Sequence, residues 1–460
     1  MLPIPQTKFT SSAPIGGFSP APLDALSLEN GVCKYDHPQS SIETAFFPYA
    51  LAVLDKFFPC LISHSETITY DEAVEIAKNP DHFAKSSGYP YSFMGAGTKG
   101  QALSKFSREF IESQPCVINA TLKDELRKVG ADARLFRMQS LHDYLEALQL
   151  FSKQNDYLMC SRNLFSTPIF VNYCTPGFDL SRMYMRLDRH GGSLHDADAA
   201  SWDANFPLIL AEIICRWRSR DVPHDVRKRM ELYYRKIYNG VTNVGGVAFP
   251  LVGQASGHLL TTLDNSLGNI VAMAYHAYRH NLTIETFYRD VIFYCCGDDL
   301  VWSDRTQLFT PDLLSDSYRQ LGIFLEFSTW EDQKIEELTF VGTFPTRVKN
   351  VVRYYGRVDK LRSSIGFYKK GNTPIDHLAK LVAAAMLVYY HPAFPEFVVN
   401  ARQYFTIQAQ KDPALLLDAR ANSYLRCLTP DFLSQLYDEF ESVDVTRLLP
   451  GGVVRALREM

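Results

Sequence analysis

The strongest periodic signal in the chain runs from Leu259 to His280. Leu259, Leu260, Leu263, Leu267, Ile270, Val271 and Met273 recur at helical spacing after the turn-forming Gln254-Ala255-Ser256-Gly257, which predicts one long helix. Two apolar runs follow, Val291 to Cys296 and Leu300 to Trp302, separated by Gly297-Asp298-Asp299. Short β-prone runs around a polar break predict a β-hairpin carrying two acids at its tip. Upstream, residues 42–77 and 104–113 have mixed helical patterns, and the Gly- and aromatic-rich stretch 86–100 predicts a loop. From Pro374 onward the helical period dominates again, through LAKLVAAAMLVYY and DFLSQLYDEFESV, with proline-containing breaks. Residues 1 to about 40 are rich in Pro, Ser and Gly and weakly periodic, which predicts an extended arm or strap. Mixed helices, then acid-bearing strands, then helices predict an α+β architecture and not a doubly wound parallel sheet.

Composition changes this picture in two places. At 460 residues the chain exceeds one small core, so two or three subdomains are expected. A formal charge of −4 excludes a uniformly basic nucleic-acid wrapper, so any phosphate-binding surface has to be local. Basic residues do gather, as Lys123, Arg127, Lys128, Arg134 and Arg137 in one stretch. A second stretch holds Arg347, Lys349, Arg353, Arg357, Lys360, Arg362, Lys369 and Lys370, interleaved with Tyr354, Tyr355, Phe367 and Tyr368. The second pattern suits a groove that follows a phosphate backbone, and each stretch taken alone also reads as a solvated charged face. Nine cysteines without a C-x-x-C pair give no zinc-ribbon spacing, and a reducing compartment is expected. The start, MLPIPQTKFTSSAPIGG, lacks the pattern of a secretory signal, and no apolar run approaches the roughly 18 residues of a membrane span. Peripheral attachment through a partner stays open.

The acids carry the candidate chemistry. Adjacent carboxylates in a short turn repel, and a divalent cation removes that penalty, with oxygen ligands suiting Mg²⁺ or Mn²⁺. Read alone, Gly297-Asp298-Asp299 is also an ordinary polar hairpin turn. A second acidic element, Asp196-Ala-Asp198 through Asp203, precedes an apolar helical stretch from about Phe206, so Asp198 is expected to end a strand beside the hairpin. Asp203 fits either the same site or an N-cap, and Asp196 has no evident role. Thr261 and Asn265, at i and i+4 on one helical face, suit either helix-to-helix hydrogen bonds or recognition of a ribose hydroxyl.

In this order the segments resemble the motifs of viral RNA-dependent RNA polymerases from positive-strand RNA viruses, nearest the picornavirus and calicivirus group. Ser86-Ser87-Gly88-Tyr89-Pro90 is similar to the family's motif at the template entrance. Lys123-Asp124-Glu125-Leu126-Arg127, with Arg134 downstream, is similar to its basic nucleotide-triphosphate motif. Asp198 and Asp203 match the paired acids of the first palm motif, Ser256-Gly257, Thr261 and Asn265 match its S-G-x-x-x-T-x-x-x-N pattern, and Gly297-Asp298-Asp299 its third palm motif. Lys334, after Gly322, stands where a family lysine is proposed to donate a proton. The chain departs from the pattern at Cys296, where Tyr is usual, and at Phe340-Val341-Gly342-Thr343, where picornaviruses carry a Phe-Leu-Lys-Arg primer grip. Astrovirus-like or unclassified picorna-like polymerases would accommodate both departures.

The resemblance implies a right-hand polymerase: fingers with an N-terminal strap over 1–190, palm at 191–205, a return to the fingers over 206–250, palm again over 251–350, and a helical thumb over 351–460. It implies Mg²⁺, with Mn²⁺ as a substitute, held by Asp198 and Asp298 with Asp299 in support, and Lys334 as proton donor. It implies nucleotide contacts from Lys123, Arg127, Arg134, Asp203, Ser256, Thr261 and Asn265, and RNA contacts from Ser86, Ser87, Gly88, Tyr89, Pro90, Arg353, Arg357 and Lys360. The expected partners are template and product RNA, ribonucleoside triphosphates and other viral replication proteins, in the host cytoplasm at membrane-associated complexes. A reverse transcriptase shares the palm acids but not the Ser-Gly, Thr, Asn pattern. A non-enzymatic RNA-binding protein explains the basic stretches but not acids at three correctly ordered positions.

Overall fold

Alternation along the central strands decides how the molecule is layered. The computed structural model describes residues 9, 14–15, 17–35, 42–159, 168–169, 178–367, 372–439 and 448–459. Its strands are β1 (Phe18–Pro20), β2 (Ile118–Leu122), β3 (Leu126–Lys128), β4 (Leu135–Met138), β5 (Ser193–Ala199) and β6 (Asn239–Val244). They continue with β7 (Val247–Val252), β8 (Val291–Cys296), β9 (Asp299–Asp304), β10 (Leu325–Phe327), β11 (Thr343–Val348) and β12 (Val351–Gly356). The central sheet has the order β10-β5-β9-β8, with antiparallel neighbours throughout.

Phe293, Cys295, Leu300, Trp302, Ala197 and Ala199 feed a core shared with the helices Phe47–Phe57, Leu208–Ser219, His224–Tyr238 and Thr261–Arg279. Their alternates Tyr294, Cys296, Val301 and Leu194 feed a second core, built with the helices Phe178–His190 and Pro374–Leu387 and the C-terminal helices. A strand buried on both faces shows no apolar and polar alternation, which is why VIFYCC reads as an unbroken run. Two residues per side-chain repeat put Asp198 on Leu194's face and Asp299 on Val301's face, so both acids point toward the second core's side of the sheet.

The expected long helix is present as Thr261–Arg279, and the 104–113 pattern resolves into the end of Lys99–Lys105 followed by Arg108–Glu112. The hairpin is tighter than its sequence pattern implies: Asp299 is the first residue of β9, paired with Cys296, leaving a two-residue turn. A second sheet, of order β4-β2-β6-β7, carries residues 123–134 as an excursion between β2 and β4. Part of the N-terminal segment lies along that excursion as β1, with Ser19 opposite Arg127. Among the described residues no helix is long and apolar enough to cross a membrane.

One buried ion pair ties the layers under the long helix. Arg218 Nη2 donates to Asp264 Oδ1 at 2.9 Å, with both side chains fully buried. Tyr238 donates to the other carboxylate oxygen at 2.9 Å, and Arg218 also reaches Asn155 at 3.1 Å. A buried pair tolerates the loss of neither partner, because the survivor is left as an uncompensated charge. Asp264→Ala should therefore destabilise the protein by about 3–5 kcal/mol, seen as an earlier urea midpoint, and an unshifted midpoint would contradict this role.

Candidate active site

The turn of the acidic hairpin is held by backbone before its side chains are considered. Gly297 has φ of +65° at the first of the two turn positions, a geometry that suits glycine there. Its N–H donates to Ser266 Oγ at 2.9 Å, and its carbonyl accepts from Asn269 Nδ2 at 2.7 Å. Tyr318 donates in turn to Asn269 Oδ1 at 3.2 Å. Asp198 pairs in register with Asp299 on one side and with Glu326 on the other, so three carboxylates share one face at the end of the sheet.

These acids act on one another. Burial, then the Asp198 charge, pushes Asp298 up to about 7. Asp299 is pushed up to about 8 by burial and then by Asp298 and Asp198. Asp198 is also raised, first by desolvation and then by Glu326. Among the described residues no three His, Cys, Asp or Glu side chains are already closed around a common point. The donor set is carboxylate oxygen only, which fits a hard divalent cation in preference to a thiophilic one.

The long helix reaches the second acidic element as well. Asp203 lies inside the one-turn helix Trp202–Asn205, whose N-cap is Ser201, so capping does not explain it. Its carboxylate accepts from Asn265 Nδ2 at 3.0 Å, and the buried Asn265 Oδ1 has no partner. The segment after β7 comes equally close: Gln254 N–H donates to the Asp203 carbonyl at 2.8 Å, and a Cβ on Gly253, at φ +125°, would stand 2.8 Å from that same oxygen. Thr261 turns its hydroxyl onto the carbonyls of Ala255, Ser256 and His258, at 3.1, 3.2 and 2.9 Å, and so fixes the turn that presents Ser256.

Cations face these acids from two directions. Arg134 donates through two nitrogens to Glu125, Lys123 lies 3.3 Å from the same carboxylate, and Lys123 N–H bonds the Arg134 carbonyl at 2.8 Å. Glu125 raises Arg134 most, with Asp298 and Asp203 adding to it, which sets the guanidinium toward both acidic elements. From the helix Val358–Gly366, Lys360 is lowered by desolvation and feels Glu125, Arg134, Arg357 and Lys123, while its own charge moderates Asp299. Arg357 is tied by its N–H to the Gly342 carbonyl at 2.9 Å.

The other expected residues have varied surroundings. Arg137 is fully buried, donates to Thr242 and to the carbonyls of Leu251, Gly253 and Gln254, and lies 4.8 Å from the Tyr35 ring, so it braces the fold and does not offer charge to a ligand. Tyr354 is buried in the second core, because the alternation of β12 turns it inward; Phe367, at the end of the helix Val358–Gly366, is buried edge-on to the Phe9 ring at 5.8 Å, and Arg353 lies over Tyr390. Tyr368, Lys369 and Lys370 fall outside the described residues. Arg127 sits on β3 under the N-terminal strand. Ser87 is buried and donates to the Ala96 carbonyl at 2.5 Å, and Gly88 packs on Gln139 and Ser140, while Ser86, Tyr89 and Pro90 are partly exposed. Lys334 is exposed before the turn Ile335–Glu337, its N–H bonded to Glu337 at 2.8 Å. Ser266, Asn269 and Glu326 are absent from the residues expected from sequence, and Glu125 stands there only as part of its motif, without a role. Asn269 continues the Thr261 and Asn265 spacing by one more helical turn, which was a usable signal.

An α+β frame with acids on paired strands, a cationic arm opposite and a polar helix beneath both is that of a right-hand nucleic-acid polymerase. The chain belongs to the viral RNA-dependent RNA polymerase family, whose model matches residues 27–400. It is 23% identical over 424 residues to the genome polyprotein of Watermelon mosaic virus II (isolate USA), covering 86% of this chain and 40% of that polyprotein. It is likewise 23% identical over 424 residues to the genome polyprotein of Soybean mosaic virus (strain G2), of which it spans 13%. The fold is similar to that of the Sicinivirus 3Dpol RNA dependent RNA polymerase, with a TM-score of 0.68 and 16% identity over 88% of this chain and 92% of that one. The resemblance to polymerases of the picorna-like positive-strand RNA viruses therefore holds.

The raised carboxyls make a prediction with a definite sign. A group whose folded pKa lies above its unfolded value near 3.9 binds its proton more tightly in the fold, so ionisation costs stability as pH rises from about 4 through about 8. In chelator-containing buffer, Asp299→Asn should gain melting temperature relative to the parent chain as pH rises from 5 to 8.5. A difference that does not vary with pH would contradict the mutual repulsion.

Proposed function

We propose that this chain copies RNA by adding ribonucleotides from their triphosphates to a growing strand, with release of pyrophosphate. The observation that carries the reading is the convergence of Asp198, Asp298 and Asp299 with Arg134 and Lys360, because a nucleotidyl-transfer site needs cation-binding acids and phosphate-binding bases within one cleft. Asp198 and Asp298, with Asp299 in support, would hold Mg²⁺ or Mn²⁺, which when bound supplies charge neutralisation at the reacting phosphate.

Arg134 and Lys123, spaced by Glu125, present a planar fork and a point charge to the triphosphate, with Arg127 behind them on β3. The Asp203 and Asn265 pair leaves Asn265 Oδ1 available to accept from a ribose 2′-hydroxyl, and Ser256, presented by Thr261, completes that edge. Ser86 to Pro90 would line the template path, and Arg353, Arg357 and Lys360 the path of product RNA. Lys334 would donate the proton taken by pyrophosphate. In this reading 1–190 and 206–250 form the fingers, 191–205 and 251–350 the palm, and 351–460 the thumb. Other viral replication proteins at cytoplasmic membranes of the host cell would be its partners.

A site built to bond a hydroxyl penalises the substrate that lacks it. Asn265→Ala should lower the preference for ribo- over deoxyribonucleotides by about tenfold or more in single-nucleotide incorporation, and unchanged discrimination would remove this residue from sugar recognition. Asp298→Asn should abolish primer extension while the dissociation constant for RNA stays the same. An active variant would overturn the assignment of the acidic hairpin.

A further inference from the structure

Asp196, two residues before Asp198 on the same face of β5, is nearly inaccessible and carries none of the chemistry above. Its Oδ1 accepts from Gln333 Nε2 at 3.3 Å, and its Oδ2 accepts both the N–H and the hydroxyl of Thr339, the latter at 2.6 Å. Donors therefore occupy both oxygens, which suits a structural anchor and not a metal ligand. The neighbouring backbone is docked on the same strand, with Leu194 N–H on Asp332 Oδ1 at 2.7 Å and Gln333 N–H on the Leu194 carbonyl at 3.0 Å.

Thr339 immediately precedes the segment that departs from the family pattern. Phe340 and Thr343 bond each other's backbone, at 3.2 and 2.9 Å, around a turn in which Val341 has φ of +50° and Gly342 +68°. A β-branched residue in the left-handed region is strained and persists only where its surroundings hold it. Here Thr343 is bonded by the buried Tyr184 hydroxyl at 3.0 Å, and Gly342 by Arg357. The turn directs Val341 N–H onto Asp299 Oδ1 at 3.3 Å.

We propose that Asp196 is a positioning residue for Asp299: through Thr339 it clamps the strained 340–343 turn, and the turn's Val341 N–H then orients the Asp299 carboxylate. This deepens the reading of Asp299 as part of the metal-binding site and rests on it. It also gives the Phe340-Val341-Gly342-Thr343 departure a task, because the turn acts through its backbone and needs no basic side chain.

The test is Mn²⁺ binding to the full chain without RNA, read from the electron paramagnetic resonance signal of free Mn²⁺, with melting temperature and RNA affinity measured alongside. Asp196→Asn should weaken Mn²⁺ binding about tenfold, as loss of a partner behind a ligand does, while RNA affinity is unchanged. Thr339→Val, which removes only a hydroxyl, should shift affinity in the same direction by less and keeps the test open if Asp196→Asn does not fold. The double variant should bind no more weakly than Asp196→Asn alone. Binding lost in Asp298→Asn but intact in both Asp196→Asn and Thr339→Val would overturn the positioning role alone. Binding absent from the parent chain would overturn the metal-site reading beneath it.

Discussion

Carboxylates placed side by side on adjacent strands repel, and much of this molecule reads as the means of holding them together. Asp198 and Asp299 are register partners, Asp298 sits in the turn between, and Glu326 closes the row. Burial makes the repulsion worse by removing water that would otherwise screen it. The strands cannot slip apart, because each sends alternate side chains into two different cores, and a one-residue shift would exchange the two sets. The turn cannot open while Ser266 and Asn269 hold both backbone groups of Gly297.

The helix Thr261–Arg279 is the common support. At successive turns it fixes the Ser256 turn through Thr261, Asp203 through Asn265, and the acidic hairpin through Ser266 and Asn269. Asp264, between them in sequence, faces away and anchors the helix to Arg218. The Asp203 and Asn265 pair and the acidic turn are thus set by one element, so a tilt of that helix would disturb both at once. On the cationic side Arg134 and Lys123 share Glu125, a partner for which a triphosphate would compete in the proposed reaction.

How much of this could be read in advance follows from which interactions are local. The helix is written in the 3.6 period and the hairpin in two unbroken apolar runs around a polar break, and both emerge where the pattern places them, while β5 runs one residue past Asp198. Spaced motif residues carried the family resemblance for the same reason. What the pattern does not carry is partnership across the chain. Nothing local to Asp196 announces Thr339, some 143 positions away, and nothing near Arg137 tells that it is buried against Tyr35 and not turned outward. Tyr354 and Phe367 look like stacking platforms because they are interleaved with bases, yet the alternation of β12 buries the first and the end of the helix Val358–Gly366 packs the second against Phe9. The turn length failed for a narrower reason: polarity marked Asp299 as loop, whereas its backbone completes the ladder with Cys296.

The departures at Cys296 and at 340–343 both border Asp299, across the hairpin and through Val341 respectively. They alter what surrounds the acid while leaving the acids, the helix and the cationic arm in place. Whether this constellation adds ribonucleotides on an RNA template is measured most directly by extension on a short RNA template with Mg²⁺ or Mn²⁺, with and without a primer. Template-directed growth from ribonucleotides, with little or none from deoxyribonucleotides, is the expected result. Tight RNA binding with no nucleotide added under any of these conditions would contradict it.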